Sequence, residues 1–221
     1  WYDPTNCHPD VESALQEAIS LWNSVSTSRM KMVLESAKVS VSPSVLYNQG
    51  SIVSPVVVCD PQFSSTASNV DPNVVAGFGF YSRMGTSMTY GGVIINADST
   101  TQARYDRMNY QQWVMLLAHE LGHVMGLGHS SSESCLMYYS LGQKTTARLS
   151  QDDEDAVTYL YPRDELGKDK PFGCGRVKLK GSDSGSPSES SGAWPVFAII
   201  LLLLPLGVLG FLLQNQKNYS S

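Results

Sequence analysis

Between Asp10 and Val25 the apolar residues Val11, Leu15, Ile19 and Trp22 recur at spacings of four, four and three, one stripe along an α-helix. Asp10 and Glu12 stand at the end of that helix where its dipole favours negative charge. The pattern then changes. Lys38–Ser42, Ile52–Val58, Val74–Ser82 and Gly92–Asn96 are short, β-branched or aromatic, and bounded by Gly, Pro, Asn or Ser, so they predict strands. Gly77 and Gly79 inside the third predict an irregular strand or bulge at a sheet edge. Tyr110–Met125 returns to helical spacing and stops at Gly126. Ser150 is a good N-cap, acids fill the next turn, and Ala156, Val157, Leu160 and Tyr161 share a face, which predicts a last helix. Helix, strands, helix, loop, helix is the order of an α/β or α+β domain, covering residues 1–165.

The polar pattern beyond it divides the rest of the chain. A connector leads to Gly181–Gly192, a Ser/Gly/Pro-rich stretch with no apolar anchor, so residues 166–193 read as a tether. Val196–Leu213 then runs without a charge, and as a helix would be roughly 27 Å long, enough for a thin bilayer core. With Trp194 at one end and Lys217 beyond the other, residues 194–213 predict a transmembrane helix. The positive-inside rule leaves 214–221 as a short cytoplasmic tail and the globular part outside. The chain opens at Trp1 with no leader in view, so it is expected to be a mature or trimmed form.

Composition narrows the function classes. Hydrophobic residues make up 42% and charged residues 16%, enough apolar content for a real core. A formal charge of -5 argues against a nucleic-acid partner, which needs a basic stripe. The 4 cysteines form no CxxC pair.

The candidate chemistry lies on the Tyr110–Met125 helix. His119 and His123, four apart, lie on one helical face and can reach one ion, with Glu120 beside them to hydrogen-bond a metal-bound water. The run continues as HELGHVMGLGH to His129, and Gly126 can adopt φ > 0 and bring that third imidazole back. Three His ligands leave a fourth position for water, the arrangement of a catalytic zinc. Of the 4 histidines only His8 lies elsewhere, as an ordinary loop residue.

This segment resembles the metzincin clan of zinc endopeptidases, whose pattern H-E-x-x-H-x-x-G-x-x-H is followed by a Met-turn, here Met137 in Cys135-Leu136-Met137-Tyr138. Ser130, the LMY triplet and Leu149–Tyr161 resemble the matrixin, or matrix-metalloproteinase, branch. The resemblance implies a zincin domain with a twisted mixed sheet, an active-site helix and a C-terminal helix. It implies that Glu120 is the general base and that Met137 forms a hydrophobic floor under the ligands. An extended peptide would pair with an edge strand, Val74–Phe80, and meet Val75, Ala76, Tyr138 and Tyr139, the tyrosines also being candidates to stabilise an oxyanion.

There are departures. Matrixins usually hold a second, structural zinc with upstream His and Asp residues, but Gly77 and Ile95 fall where His ligands would be expected, so one zinc is expected. Asp60, Asp71 and Asp98 could serve a calcium ion or be solvated loop carboxylates. Tyr139 stands where matrixins typically have Pro. No PRCGxPD-type inhibitory segment is expected ahead of the domain. Cys7, Cys59, Cys135 and Cys174 allow three pairings, of which Cys7–Cys59 with Cys135–Cys174 is preferred in an extracytoplasmic domain.

The expected function is a membrane-anchored, extracytoplasmic zinc endopeptidase acting on protein or peptide substrates. Its rivals are a catalytically idle metzincin-like adhesion or binding module and a zinc aminopeptidase. Gly-Cys-Gly around Cys174, a polar tether, a terminal span and Lys217 also resemble a bacterial surface-sorting signal, in which the span would be removed.

Overall fold

Val56–Asp60 forms β1, and all five residues are buried, as expected of a strand covered on both faces. The computed structural model describes residues 1–49, 55–84, 87–142 and 144–163. The chain divides after Cys174 into two units, and every described residue belongs to the first. In chain order its elements are α1 (Val11–Asn23), α2 (Pro43–Gln49), β1, α3 (Phe63–Thr66), β2 (Gly77–Met84), β3 (Ser87–Asn96), a 3-10 turn, α4 (Tyr110–Met125) and α5 (Gln151–Leu160).

The sheet is mixed, with order β1-β3-β2. β1 runs parallel to β3 with Val57 opposite Val93 and Cys59 opposite Ile95. β2 runs antiparallel to β3 with Gly77 opposite Ile95 and Gly79 opposite Val93. Alternation sends Val57, Cys59, Val93 and Ile95 into the main core, with Leu15, Trp22, Leu117 and Val157 from α1, α4 and α5. Val56, Val58 and Ile94 point the other way, against Leu46 of α2 and Phe63 of α3. α1 is tied to α4 by a buried bond in which Trp22 Nε1 donates to the Ala118 carbonyl at 2.8 Å. The Cys7–Cys59 disulfide fastens the N-terminal segment to β1 across 52 residues. Cys135 is buried and carries a free thiol; Cys174 lies outside the described residues.

The three long helices fall where periodicity puts them. The strands differ in detail. In place of a strand over Lys38–Ser42 there is a single bridge from Lys38 to Tyr2, and the chain then enters α2. Pro43 explains the switch: it has no N–H for a ladder and its φ suits a first helical turn. β1 starts at Val56, Ile52 lies outside the described residues, and β3 begins five residues earlier than Gly92. The irregularity in β2 lies between Ser82 and Arg83, not at Gly77 or Gly79. Those glycines serve a different purpose, set out below.

Residues 164–221 lie outside the described residues, and with them the expected tether, span and tail. Among the described residues no helix is long and apolar enough to cross a membrane.

Candidate active site

α4 is held at both ends by its own sequence. Asn109 and Gln112 form a reciprocal capping box at the N-terminus. At the C-terminus Gly126 adopts φ 98°, a conformation open to glycine and strained for other residues. Its amide donates to the His123 carbonyl and that of Leu127 to Gly122, which closes the helix and reverses the chain. His129 therefore returns to the face that carries His119 and His123.

The three imidazoles converge. His123 Nε2 lies 3.2 Å from His119 Nε2 and 3.1 Å from His129 Nε2. The opposite ring nitrogens face carbonyls: His119 Nδ1 is 2.8 Å from Leu136 O and His123 Nδ1 is 2.9 Å from Leu127 O. A carbonyl only accepts, so each Nδ1 carries the proton and each Nε2 presents a lone pair. Lone pairs at such distances repel unless a cation lies between them. Zinc with Zn–N bonds of about 2.0–2.1 Å in a tetrahedron needs nitrogens about 3.3 Å apart, so the donor set fits zinc. Burial holds His119 down at about 4, against the pull of the Leu136 carbonyl. Burial also lowers His123. Both rings are thus neutral and ready to ligate near neutral pH. Among the described residues this is the one group of three or more His, Cys, Asp or Glu side chains placed to share an ion.

Met137, 2% exposed, packs against Gly122 of α4. A methyl at Gly122 would stand 2.3 Å from Met137 Sδ and 3.3 Å from Trp22 Cζ2, so the Met-turn and α1 both fit through that gap in the helix. The turn is anchored on two sides. Ser130 N–H donates to Met137 O at 2.8 Å, and Asp153 of α5 accepts from the amides of Leu136 and Met137 at 2.8 and 3.0 Å.

Glu120, 5% exposed, sits beside the imidazoles, and the amide of Gly79 donates to its Oε2 at 2.6 Å. Burial pushes this carboxyl up to about 8, and the Gly79 bond opposes the rise. Gly79 has to be a glycine here: a Cβ would lie 2.1 Å from the Glu120 carbonyl oxygen.

Around the three rings and Glu120 opens a cleft of about 800 Å³, walled on one side by β2 and on the other by Tyr138–Gly142. Val75, Ala76, Tyr138 and Tyr139 all line it. The Val75 and Ala76 carbonyls accept from Asn96, so the strand groups nearest Glu120 belong to Gly79. Tyr138 and Tyr139 lie with ring centroids 4.3 Å apart, and Tyr139 is 69% exposed. The bond to Tyr139 pushes the Tyr138 hydroxyl up to about 12, so it stays a donor at neutral pH.

The remaining candidates lie elsewhere. His8 lies against Trp113 with its ring tilted by 47°. Gly77 and Ile95 are cross-strand partners, and neither carries a ligand atom. The carboxylates of Asp60, Asp71 and Asp98 each accept from their own loop, from Gln62, Asn73 and Thr100 respectively. Sequence reasoning read Gly79 as a bulge, Trp22 as part of the α1 stripe and Asp153 as a first-turn acid, and it missed the contacts of all three with the site, as it missed Gly122 altogether.

Comparison with known proteins agrees with this geometry. Residues 2–162 match the matrixin family model, and the chain belongs to that family. Horse (Equus caballus) interstitial collagenase is 26% identical over 178 residues, covering 78% of this chain and 34% of its own length. Matrix metalloproteinase-18 of Xenopus laevis is 27% identical over 187 residues with the same coverage, 78% and 34%. Mouse (Mus musculus) matrix metalloproteinase-25 reaches 47% over 49 residues, 20% of this chain and 8% of its own. The chain thus spans about a third of the length of the first two relatives.

Proposed function

We propose that this matrixin domain is the catalytic unit of a zinc-dependent endopeptidase, acting outside the cytoplasm and tied to a membrane through residues 194–213. The observation that carries the catalytic reading is the buried Glu120 carboxyl lining the same strand-bordered cleft as three imidazoles whose Nε2 atoms converge. His119, His123 and His129 hold the ion. When bound, zinc supplies Lewis acidity, lowering the pKa of a water to about 7 and polarising a carbonyl.

The residues of the chain do the rest. The edge of β2 takes the substrate as an added strand, which exposes one peptide bond to the site while tolerating many sequences. Glu120 removes a proton from the attacking water as its oxygen bonds the carbonyl carbon. It then delivers that proton to the nitrogen as the C–N bond breaks. Tyr138, which lines the cleft and retains its proton, donates to the oxyanion in this reading. An idle binding module is disfavoured, because nothing in such a module requires a buried carboxylate at the ligand set.

The disulfide supports the extracytoplasmic reading, since such bonds persist in oxidising compartments. The uncharged run from 196 to 213 supports the anchor.

The test is metal analysis of the purified chain with digestion of peptides whose N-termini are blocked. One zinc per chain and internal cleavage of blocked peptides are expected, with Glu120→Gln retaining zinc and losing about 10²–10⁴-fold in rate. Cleavage of free N-termini alone would make it an aminopeptidase. Full activity in Glu120→Gln would remove the carboxylate from the mechanism. For the anchor, the full chain is expected to stay with membranes after an alkaline wash, and recovery in the wash would refute it.

A further inference from the structure

The bond between Gly79 and Glu120 occupies a group that the proposed substrate also needs. Asn96 N–H donates to Ala76 O at the start of the β2–β3 ladder. In an antiparallel pair inward and outward groups alternate, so Phe78 and Phe80 address β3, while Gly77, Gly79 and Tyr81 present theirs to the cleft. An extended peptide lying on that edge would pair its carbonyls with those outward amides. The middle one is already spent: Gly79 N–H donates to Glu120 Oε2 at 2.6 Å. The approach is possible only because residue 79 lacks a side chain, since a Cβ would stand 2.1 Å from the Glu120 oxygen and 2.9 Å from its carbonyl carbon, both backbone atoms of α4.

We propose that Gly79 is a positioning residue that parks the Glu120 carboxylate against the strand edge, and that a peptide pairing with β2 takes this amide for its own carbonyl and frees the carboxylate toward the zinc site. The base is then released only when a strand fills the cleft. This rests on Glu120 being the base of the proposed reaction. It adds that the backbone of the substrate, and not only its scissile bond, sets the base in motion. No bond to substrate is gained or lost on balance, because one acceptor on Gly79 replaces another. A substrate lacking the facing carbonyl therefore binds nearly as well but leaves Glu120 parked.

Two measurements test this on the zinc-loaded full chain in detergent micelles. The first observes the Gly79 amide directly, after labelling with ¹³C-carbonyl Phe and ¹⁵N-Gly. Phe-Gly occurs twice, at Phe78-Gly79 and Phe172-Gly173, so two resonances are selected. One is expected far downfield, to move upfield in Glu120→Ala, and to move again when a peptide with a reduced, uncleavable scissile bond is added to the wild type. Glu120→Asp, shorter by one methylene, gives the same upfield movement if the Ala variant fails to fold. Resonances unchanged by either substitution, or by the bound peptide, would overturn the proposal. The second measurement replaces one backbone carbonyl at a time by CH₂ in a cleavable peptide. At one position kcat is expected to fall about tenfold with KM changed less than twofold, the scale of one hydrogen bond. A rise in KM alone at every position would overturn it, since that is the mark of simple strand pairing. The resonance reports without turnover, so a chain that hydrolyses nothing but shows both shifts would sink the endopeptidase reading and leave the parked carboxylate standing.

Discussion

Asp153 reaches His119 through a single residue, Leu136. Its Oδ2 accepts the Leu136 amide at 2.8 Å, and the carbonyl of that same residue accepts from His119 Nδ1 at 2.8 Å. A carboxylate on α5, 1% exposed, thereby orients one of the three convergent imidazoles of the site without touching it. It also accepts from the Met137 amide and from Ser150. Bonds to the partner of a metal ligand fix its tautomer and ring angle.

Replacing Asp153 by Asn keeps the shape but removes the charge and one acceptor from four donors, two of them in buried bonds. Bonds to charged groups contribute about 1.5–3 kcal/mol each, so a loss of about 3 kcal/mol in stability is expected. Zinc affinity should fall about 10–100-fold, the usual scale for such outer partners. Chelator competition alongside denaturant unfolding checks both, and an unchanged zinc affinity would show that Leu136 holds His119 unaided.

Zinc binding at pH 7 should release a proton from Glu120. Burial pushes its carboxyl up to about 8, so the metal-free protein holds that proton, while His119 at about 4 has none to give. A dication beside the carboxylate favours the ionised form. Titration calorimetry of the metal-free protein in two buffers of different ionisation enthalpy counts the protons. Glu120→Gln should release about one fewer than the wild type.

The pH dependence of the metal-free protein has two limbs of opposite sign. His119 is lowered from 6.5 to about 4, so between those values the unfolded chain binds more protons and stability falls as pH falls. Glu120 is raised from 4.5 to about 8, so there the native state binds more protons and stability falls as pH rises. The two oppose one another from 4.5 to 6.5; from 6.5 to 8 the Glu120 limb runs against the Trp1 amino group, which burial lowers from 8.0. Urea midpoints should therefore fall more from pH 6.5 to 8 in the chelator-treated wild type than in Glu120→Gln.

Gly122→Ala places a methyl 2.3 Å from Met137 Sδ. Overpacking of this kind costs about 1–3 kcal/mol. The clash is specific, so combining it with Met137→Ala should cost less than the sum of the two single changes. A denaturant double-mutant cycle gives that coupling, and strict additivity would mean that the clash is relieved elsewhere.

Removing the Cys7–Cys59 bridge, which spans 52 residues, should cost about 4 kcal/mol by loop-closure entropy. Thermal melting with and without reductant checks this, with Cys7→Ala plus Cys59→Ala as the equivalent covalent change.

Some of this arrangement lies open in the primary structure. The spacing of His119 and His123 follows from helical pitch, and Gly126 announces the reversal, observed at φ 98°, that brings back His129. The stripe of α1 and the Ser150 cap of α5 are equally local. Strand limits are less legible because β-pairing depends on partners far along the chain; Pro43 diverts one expected strand into α2.

The sequence by itself determined the metal chemistry, the family and the three long helices, because each rests on residues a few positions apart whose geometry the backbone dictates. Only the tertiary structure decided what surrounds that chemistry. Gly79 meets Glu120 across 41 positions, Trp22 meets Ala118 across 96, and Asp153 holds Leu136 across 17. Such contacts leave no periodic trace in a chain, because hydrogen bonding and exclusion of a methyl act through space once the layers have come together.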